Sequence, residues 1–500
     1  MLTPTMLLVI LAGYFLLLFV ITRFTSQNTS NETFFVGNRR SPWLLVAYGM
    51  IGASISGVSL ISVPGEVGNQ GFAYFQLVLG YPLGYFFIAY VLMPVYYRLN
   101  LISIYRYLEQ RFGFWSYHTG SALFFVSQSI GASLRLFLAV TVLQMAFFDA
   151  VGIRFELTVL ITLLIIWLYT FRAGIKTIVW TDTLQTTFMI LAVVFSVWSI
   201  VRDMGLSPAE AVEQIRESRY SNIFTWDWAS RNNFFKQFFS GAFIAIVMTG
   251  LDQNMMQKNL TCRNIKEAQK NMVTFSLVLI PVNLLFLSLG ALLYLYIQHK
   301  GLNFNPADGF YYDAQAGVFR NTDQLYPLLS LKYLQPIAGL FFLIGIVSAA
   351  FSSADSAITA LTTAFCVDFL KIKENISQRM RNGVHLGISL LIFGIILIFK
   401  SLNARTVINA VFTIAGYTYG PLLALFVYGL FTRRHLADKA TPVAALLGPM
   451  LSYILSLNSS SWLGGYKFGF ELLLVNAAIT FVMLWISSFF TPKEKSVTYE

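Results

Sequence analysis

Apolar residues run along this chain in long blocks separated by short polar connections. A block must be about 20 residues long to carry a helix across roughly 30 Å of hydrocarbon. Blocks of that order fall at 4–22, 43–70, 71–97, 118–148, 153–171, 177–201, 237–258, 273–298, 336–369, 381–399, 405–431, 441–457 and 469–489. They predict an all-α polytopic membrane protein of about thirteen spans, with no room for a sizeable soluble domain. The first block, Met6 to Thr22, lacks a basic stretch before it and is closed by Arg23, so it reads as a retained helix and not a removed leader.

Two blocks carry internal breaks. The second holds Gly49, Gly52, Ser54, Ser56, Gly57 and Ser59 ahead of Pro64-Gly65. Such a run weakens a helix and frees backbone groups, which a membrane tolerates only where the backbone lines a cavity. Five spans later, block 237–258 has Ser240-Gly241 and Thr249-Gly250. Glycine-interrupted spans at matching places in two halves point to an inverted-repeat transporter with its binding site between them. The halves are expected at 43–201 and 237–431, within one membrane domain spanning 1–500. One helix (4–22) precedes them, two helices (441–489) follow, and a polar tail (490–500) ends the chain.

Composition agrees: 56% of residues are hydrophobic and only 11% charged, against about 25% charged in soluble domains. The net charge of +11 is explained by where it falls. With the N-terminus outside, 21 of the 34 basic residues lie in inner loops. The positive-inside rule then puts the C-terminus in the cytoplasm of a multi-pass inner (plasma) membrane protein. The basic excess is topology and no nucleic-acid footprint. The outer segment 202–236 contains a short surface helix with Ser207 as cap before Pro208, and 299–335 reads as a partly ordered lid. Cys262 and Cys366 give neither a disulfide framework nor metal spacing. The four histidines are read as lying outside the spans, which argues against a zinc enzyme or a histidine relay.

The strongest chemical signal is Ala349-Ala350-Phe351-Ser352-Ser353-Ala354-Asp355-Ser356, three hydroxyls and a carboxylate inside an apolar helix. Ser352, Ser356 and Thr359 share a stripe with Asp355 beside it. Clustered hard oxygens suit a small hard cation such as sodium. Serine hydroxyls can instead bond their own helix carbonyls, but that leaves Asp355 unexplained. Arg135 is the other intramembrane charge, and it needs an anion. That anion is either a solute carboxylate, which its planar fork suits, or an internal partner among Asp182, Asp252 and Glu66. Asp368, near Lys371, reads as an interfacial pair.

Beyond these local readings, five collinear stretches resemble the sodium/solute symporter family, closest to its bacterial sialic acid branch. They are Gly52 to Gly65, Arg172 to Gln185 with its Gly-x-Lys and Trp-Thr-Asp182 elements, Gly250 to Lys258, Ala349 to Ser356 followed by Asp368, and Tyr419-Gly-Pro-Leu-Leu. The resemblance implies the leucine-transporter-like fold and sodium-driven import. It implies a first sodium site from the carbonyls of Gly52, Ile55 and Ala349 with the hydroxyls of Ser352 and Ser353. A second would use Asp182, Ser352, Asp355 and Ser356, although the sialic acid branch is expected to carry serine at Asp355. Two carboxylates beside one cation either tighten its binding or leave one protonated when the cation is absent. The resemblance also makes Arg135 the carboxylate-binding arginine, with Ser54, Ser56 and Ser59 and Gln76 serving the polar end of the solute. Asp252 either contacts a solute hydroxyl or caps the inner loop together with Lys258.

The expectation is therefore a monomeric symporter for sodium and a small organic anion, an acidic sugar of the sialic type leading. The rival solute is a neutral sugar, inositol or amino acid, with Arg135 structural. A channel would need a ring of like residues, and an enzyme a nucleophile–base pair or metal cluster. Neither is written in the chain.

Overall fold

Small residues allow one helix to be swallowed whole by the others. In the computed structural model, which describes residues 4–25, 37–170, 174–370, 377–402 and 407–490, every residue from Phe342 to Ala364 is buried. The polar tail, Arg172 and Lys371 lie outside the described residues.

The membrane helices, in order, are α1 (Pro4–Thr25), α2 (Trp43–Ser54), α3 (Gly57–Gln70), α4 (Tyr74–Arg98), α5 (Phe114–Phe148), α6 (Phe155–Thr170) and α7 (Gly174–Asp203). There follow α8 (Phe234–Gly250), α9 (Gln253–Asn259), α10 (Ile265–Lys300), α11 (Pro336–Phe369), α12 (Gln378–Leu402), α13 (Val407–Phe431), α14 (Thr441–Trp462) and α15 (Leu472–Ser487). Among the described residues nine helices are long and apolar enough to cross a membrane, or eleven if each bent pair counts as one span. Val9–Thr25 and Phe155–Thr170 are shorter apolar helices, so the thirteen expected spans exceed this count.

Both expected breaks are present. α2 and α3 meet at 53°, and α8 and α9 at 71°. At the first, the helical ladder ends with Ile55 N donating to Ile51 O (2.8 Å) and resumes with Leu60 N donating to Ser56 O (3.1 Å). The carbonyls from Gly52 to Ile55 fall in that gap, without the donor a continuing helix supplies. At the second, Asp252 restarts the helix as its N-cap, accepting from Met255 N at 3.2 Å.

α11 lies at the centre, with 83% of its apolar window buried, whereas α12 and α14 bury 28% of theirs. It packs on α7 and α5, and α7 packs in turn on α2. Peripheral helices face lipid with Leu, Phe and Trp side chains, as the aromatic-rich composition foretells.

Segments 202–236 and 299–335 both contain regular structure. Pro208–Glu217 is a helix with a full capping box between Ser207 and Glu210. The region after α10 forms a hairpin, Tyr311–Asp313 with Val318–Arg320, then a short helix, Leu325–Lys332. It docks on the end of α3, where Thr322 Oγ1 donates to Glu66 (2.8 Å) and Asn69 brackets Phe319 by two bonds.

α4 and α8 touch backbone to backbone. A Cβ on Gly80 would meet the Phe238 carbonyl, one on Gly84 the Ala242 carbonyl, and one on Gly241 the Leu77 carbonyl. Small residues four apart let helices approach this closely in lipid. Backbone cannot yield as a side chain can. Gly80→Leu should therefore lower stability by about 3 kcal/mol or more, read as a fall in apparent Tm, while Gly131→Ala, with open space at its Cβ, should leave Tm unchanged.

Candidate functional site

The two breaks and the middle of α11 converge. A cavity of about 100 Å³ lies beside the α2–α3 break, lined by Ser54, Ser56 and Ser59, by Arg135 of α5, and by Asp252 and Asn254 at the α8–α9 break. Tyr74, Tyr81 and Tyr85 of α4 and Phe412 of α13 form its aromatic wall. Tyr74 and Phe412 also line a smaller hollow with Glu66, Gln70 and Phe470, so the cavity leads toward the α3 end that meets the hairpin.

Arg135 reaches this space with its guanidinium unengaged. Among the described residues no hydrogen bond or close ion pair involves that side chain, and Asp252 is the carboxylate whose field it feels. Each internal partner considered for it is occupied elsewhere. Glu66 accepts from Thr322 and from Gln70 Nε2 (3.1 Å). Asp182 accepts from Lys258 Nζ at 2.6 Å and from Ser352 Oγ at 2.6 Å. Asp252 accepts a short bond from the Tyr419 hydroxyl and caps α9.

Asp252 caps α9 and lines the cavity. It does so without Lys258, whose ammonium goes to Asp182. Gln76 corrects the expectation. It lies off the cavity, where its Nε2 donates to Asn232 O (2.9 Å) and Ala73 O (3.2 Å) and its Oε1 accepts from Thr225 N (3.1 Å). It ties α4 to segment 202–236.

At the first sodium position, Gly57 of α3 faces Ala349, a Cβ there lying 3.9 Å from the alanine's own. α2 and α3 both pack on α11, the helix that carries Ala349, Ser352 and Ser353. Ser353 Oγ is buried and has no hydrogen-bond partner among the described atoms. A buried hydroxyl oxygen without a partner is costly. A cation ligated by oxygens would satisfy it.

The second position is different. Asp182 is tied to Lys258, Asp355 accepts from Tyr169 OH at 2.7 Å, and the other Asp355 oxygen accepts from the backbone N–H and hydroxyl of Ser356. All four carboxylate oxygens already take a hydrogen from the protein. Lys258 is 1% exposed and Asp182 is fully buried, so this pair sits in a low-dielectric interior where separation is expensive.

Two smaller readings are also revised. His385 lies on α12 within the membrane and is buried, its ring nitrogens 3.0 Å from Thr170 Oγ1 and 3.1 Å from Thr362 Oγ1. Its two hydroxyl partners leave it with a packing role. Asp368 is not a surface partner of a lysine. Buried, it accepts from Ser103 Oγ (2.9 Å), Tyr117 OH (2.8 Å) and Ser121 Oγ (3.2 Å).

Tyr169, Lys258 and Tyr419 are the partners that sequence reasoning did not assign. Lys258 left a signal, a lysine closing the second broken span, but nothing in the linear order pairs it with Asp182.

Two broken helices, a buried oxygen cluster and an arginine-lined cavity thus lie together in the middle of a polytopic membrane fold. The sodium:solute symporter family profile matches residues 34–448, and the chain belongs to that family, whose members are transporters and not enzymes. Among curated relatives, it is 26% identical over 418 residues to the Homo sapiens sodium/iodide cotransporter, covering 80% of this chain and 61% of that protein. It is also 26% identical over 455 residues to the Homo sapiens sodium-coupled monocarboxylate transporter 1, covering 88% and 69%. Identity to the Oryctolagus cuniculus sodium-dependent multivitamin transporter is 26% over 453 residues, covering 86% and 65%. The chain thus spans about two thirds or less of the length of most of the curated relatives it matches. The fold is shared with a Na+-coupled sialic acid symporter captured in a substrate-bound outward-open state, at TM-score 0.78 and 20% identity over 97% of this chain and 98% of that one. It is shared with the nucleobase-cation symporter Mhp1 at TM-score 0.60 and 13% identity over 93% and 96% of the two chains. These are leucine-transporter-like folds, as expected.

Gln76→Ala should strip a buried carbonyl and a backbone N–H of their partner and cost about 2 kcal/mol. Thermal unfolding checks the loss, and the Kd of any solute that binds the cavity should stay within twofold of wild type.

Proposed function

We propose that this chain couples sodium to the uptake of a compact organic anion by alternating access. The observation that carries the reading is Arg135, which among the described residues has no hydrogen bond or close ion pair and faces a cavity at the junction of two broken helices. A buried arginine left without an anion costs several kcal/mol, so its anion arrives with the solute. Ser54, Ser56 and Ser59 would then meet the polar end of that solute. Iodide and monocarboxylates, named for two of the relatives, are anions, which supports the same charge.

A monocarboxylate and an acidic sugar of the sialic type both carry the carboxylate that this reading needs, and each is named for a relative or a solved neighbour. A neutral sugar, inositol or amino acid leaves Arg135 unanswered. Sodium would bind where the carbonyls of Gly52, Ile55 and Ala349 meet Ser352 and Ser353, with the unpartnered Ser353 hydroxyl as the supporting detail. It would hold α2 and α3 against α11 and so complete the adjoining solute cavity.

In the proposed cycle, repeats 43–201 and 237–431 supply one broken helix each. The cavity first communicates past Tyr74 and Phe412 with the outer face, and the bundle of broken helices then rocks against the rest. The N-terminus is placed outside and the C-terminus in the cytoplasm. Each positive charge carried inward gains about 2.3 kcal/mol per 100 mV of membrane potential.

Proteoliposome uptake of labelled acetate, lactate and a sialic acid, with sodium or choline outside, tests the reading. Sodium-dependent, concentrative uptake of at least one of these acids is expected. Equal uptake in choline, or uptake of hexose alone, would overturn it. Arg135→Gln should abolish anion uptake with Tm preserved. Ser353→Ala should raise the sodium concentration needed for half-maximal uptake about tenfold, the equivalent of about 1.4 kcal/mol, with the solute KM at saturating sodium unchanged.

A further inference from the structure

The oxygen cluster of Asp182, Ser352, Asp355 and Ser356 has the make-up of a second cation site, yet its cation is part of the chain. We propose that the Lys258 ammonium is a tethered ion in that place, so that a single sodium is coupled to each solute. The proposal rests on the sodium-symport reading above and deepens it.

Lys258 Nζ lies 2.6 Å from Asp182 Oδ2, and Ser352 Oγ donates to Asp182 Oδ1 at 2.6 Å. Asp355 stands on the same helix as Ser352 and takes its own hydrogens from Tyr169 and Ser356. A sodium ion there would need several oxygens with lone pairs turned toward it. Here the carboxylate oxygens are met by an ammonium, two hydroxyls of neighbouring residues and the Ser356 N–H and hydroxyl. A second like charge beside Lys258 would be repelled at short range in a low dielectric. At the first position Ser353 Oγ has no partner among the described residues, whereas the hydroxyls of Ser352 and Ser356 donate to the two carboxylates.

The tether also does something a free ion cannot. Lys258 rides on α9, the short arm of the second broken helix, while Asp182 belongs to α7 and Ser352 to the central α11. Gln257, its neighbour, donates to Thr363 Oγ1 of α11 at 3.2 Å. When α9 swings away to open this end, Asp182 loses its cation but the cation does not leave the protein. The charge is restored when the arm returns, and no ion is released with the solute from this position.

Equilibrium binding of 22Na+ to the purified full-length protein, with choline holding ionic strength constant, counts the ions directly. Wild type should bind one sodium per chain with a hyperbolic isotherm. Lys258→Gln frees Asp182 and should bind two, and Lys258→Gln with Asp182→Asn should return to one. Two ions on the wild type, or one on a folded, monodisperse Lys258→Gln protein, would overturn the proposal. If Lys258→Gln does not fold, the wild-type count decides alone. No saturable sodium on the wild type at all would instead defeat the sodium-symport reading itself, a distinct result.

Discussion

A carboxylate in the middle of a membrane has to be answered from within the protein, because lipid offers it nothing. In this chain the carboxylate is Asp182, and its answer is Lys258, held at 2.6 Å with both groups out of water. The pair fixes much else. It joins the short arm of one broken helix to α7, and through Ser352 it reaches the central helix α11. Any movement that opens this end of the molecule has to part these charges or carry them together. The conformational equilibrium of the carrier is therefore weighted by one ion pair.

The same rule shapes the cavity. Each buried acid has found a protein donor: Asp252 has Tyr419, Asp355 has Tyr169, and Asp368 has three hydroxyls. The basic group at the cavity, Arg135, has no hydrogen bond or close ion pair among the described residues. On the proposed function this asymmetry would favour an anionic solute, since such a charge in a low-dielectric wall attracts the opposite sign strongly. Aromatic side chains from α4 and α13 limit what can follow that charge inward.

Helix interruption serves the cation in a complementary way. A membrane helix hides its carbonyls in its own ladder, and only a break exposes them. Gly52, Ser54, Ser56 and Gly57 make that break affordable, and the serines of α11 stand opposite it. The sodium reading and the glycine-rich sequence are thus two views of a single structural device.

The thirteen apolar blocks, both breaks, the polar stretch on α11 and the solitary arginine were all visible in the linear order, because length, hydropathy and glycine content act locally. Gln76 shows where that stops. As a polar residue next to a broken span it resembled a ligand, but folding brought it to Thr225 and Asn232 of the outer segment. Asp368 was likewise misplaced, since its partners Ser103, Tyr117 and Ser121 are far away in sequence, whereas His385 falls inside block 381–399 of the sequence itself. What the amino-acid order determined by itself was which groups would have to be buried. Which buried group answers which, Lys258 for Asp182 and no protein group for Arg135, was decided only when distant helices packed, because pairing energies in lipid depend on distances that no spacing along the chain encodes.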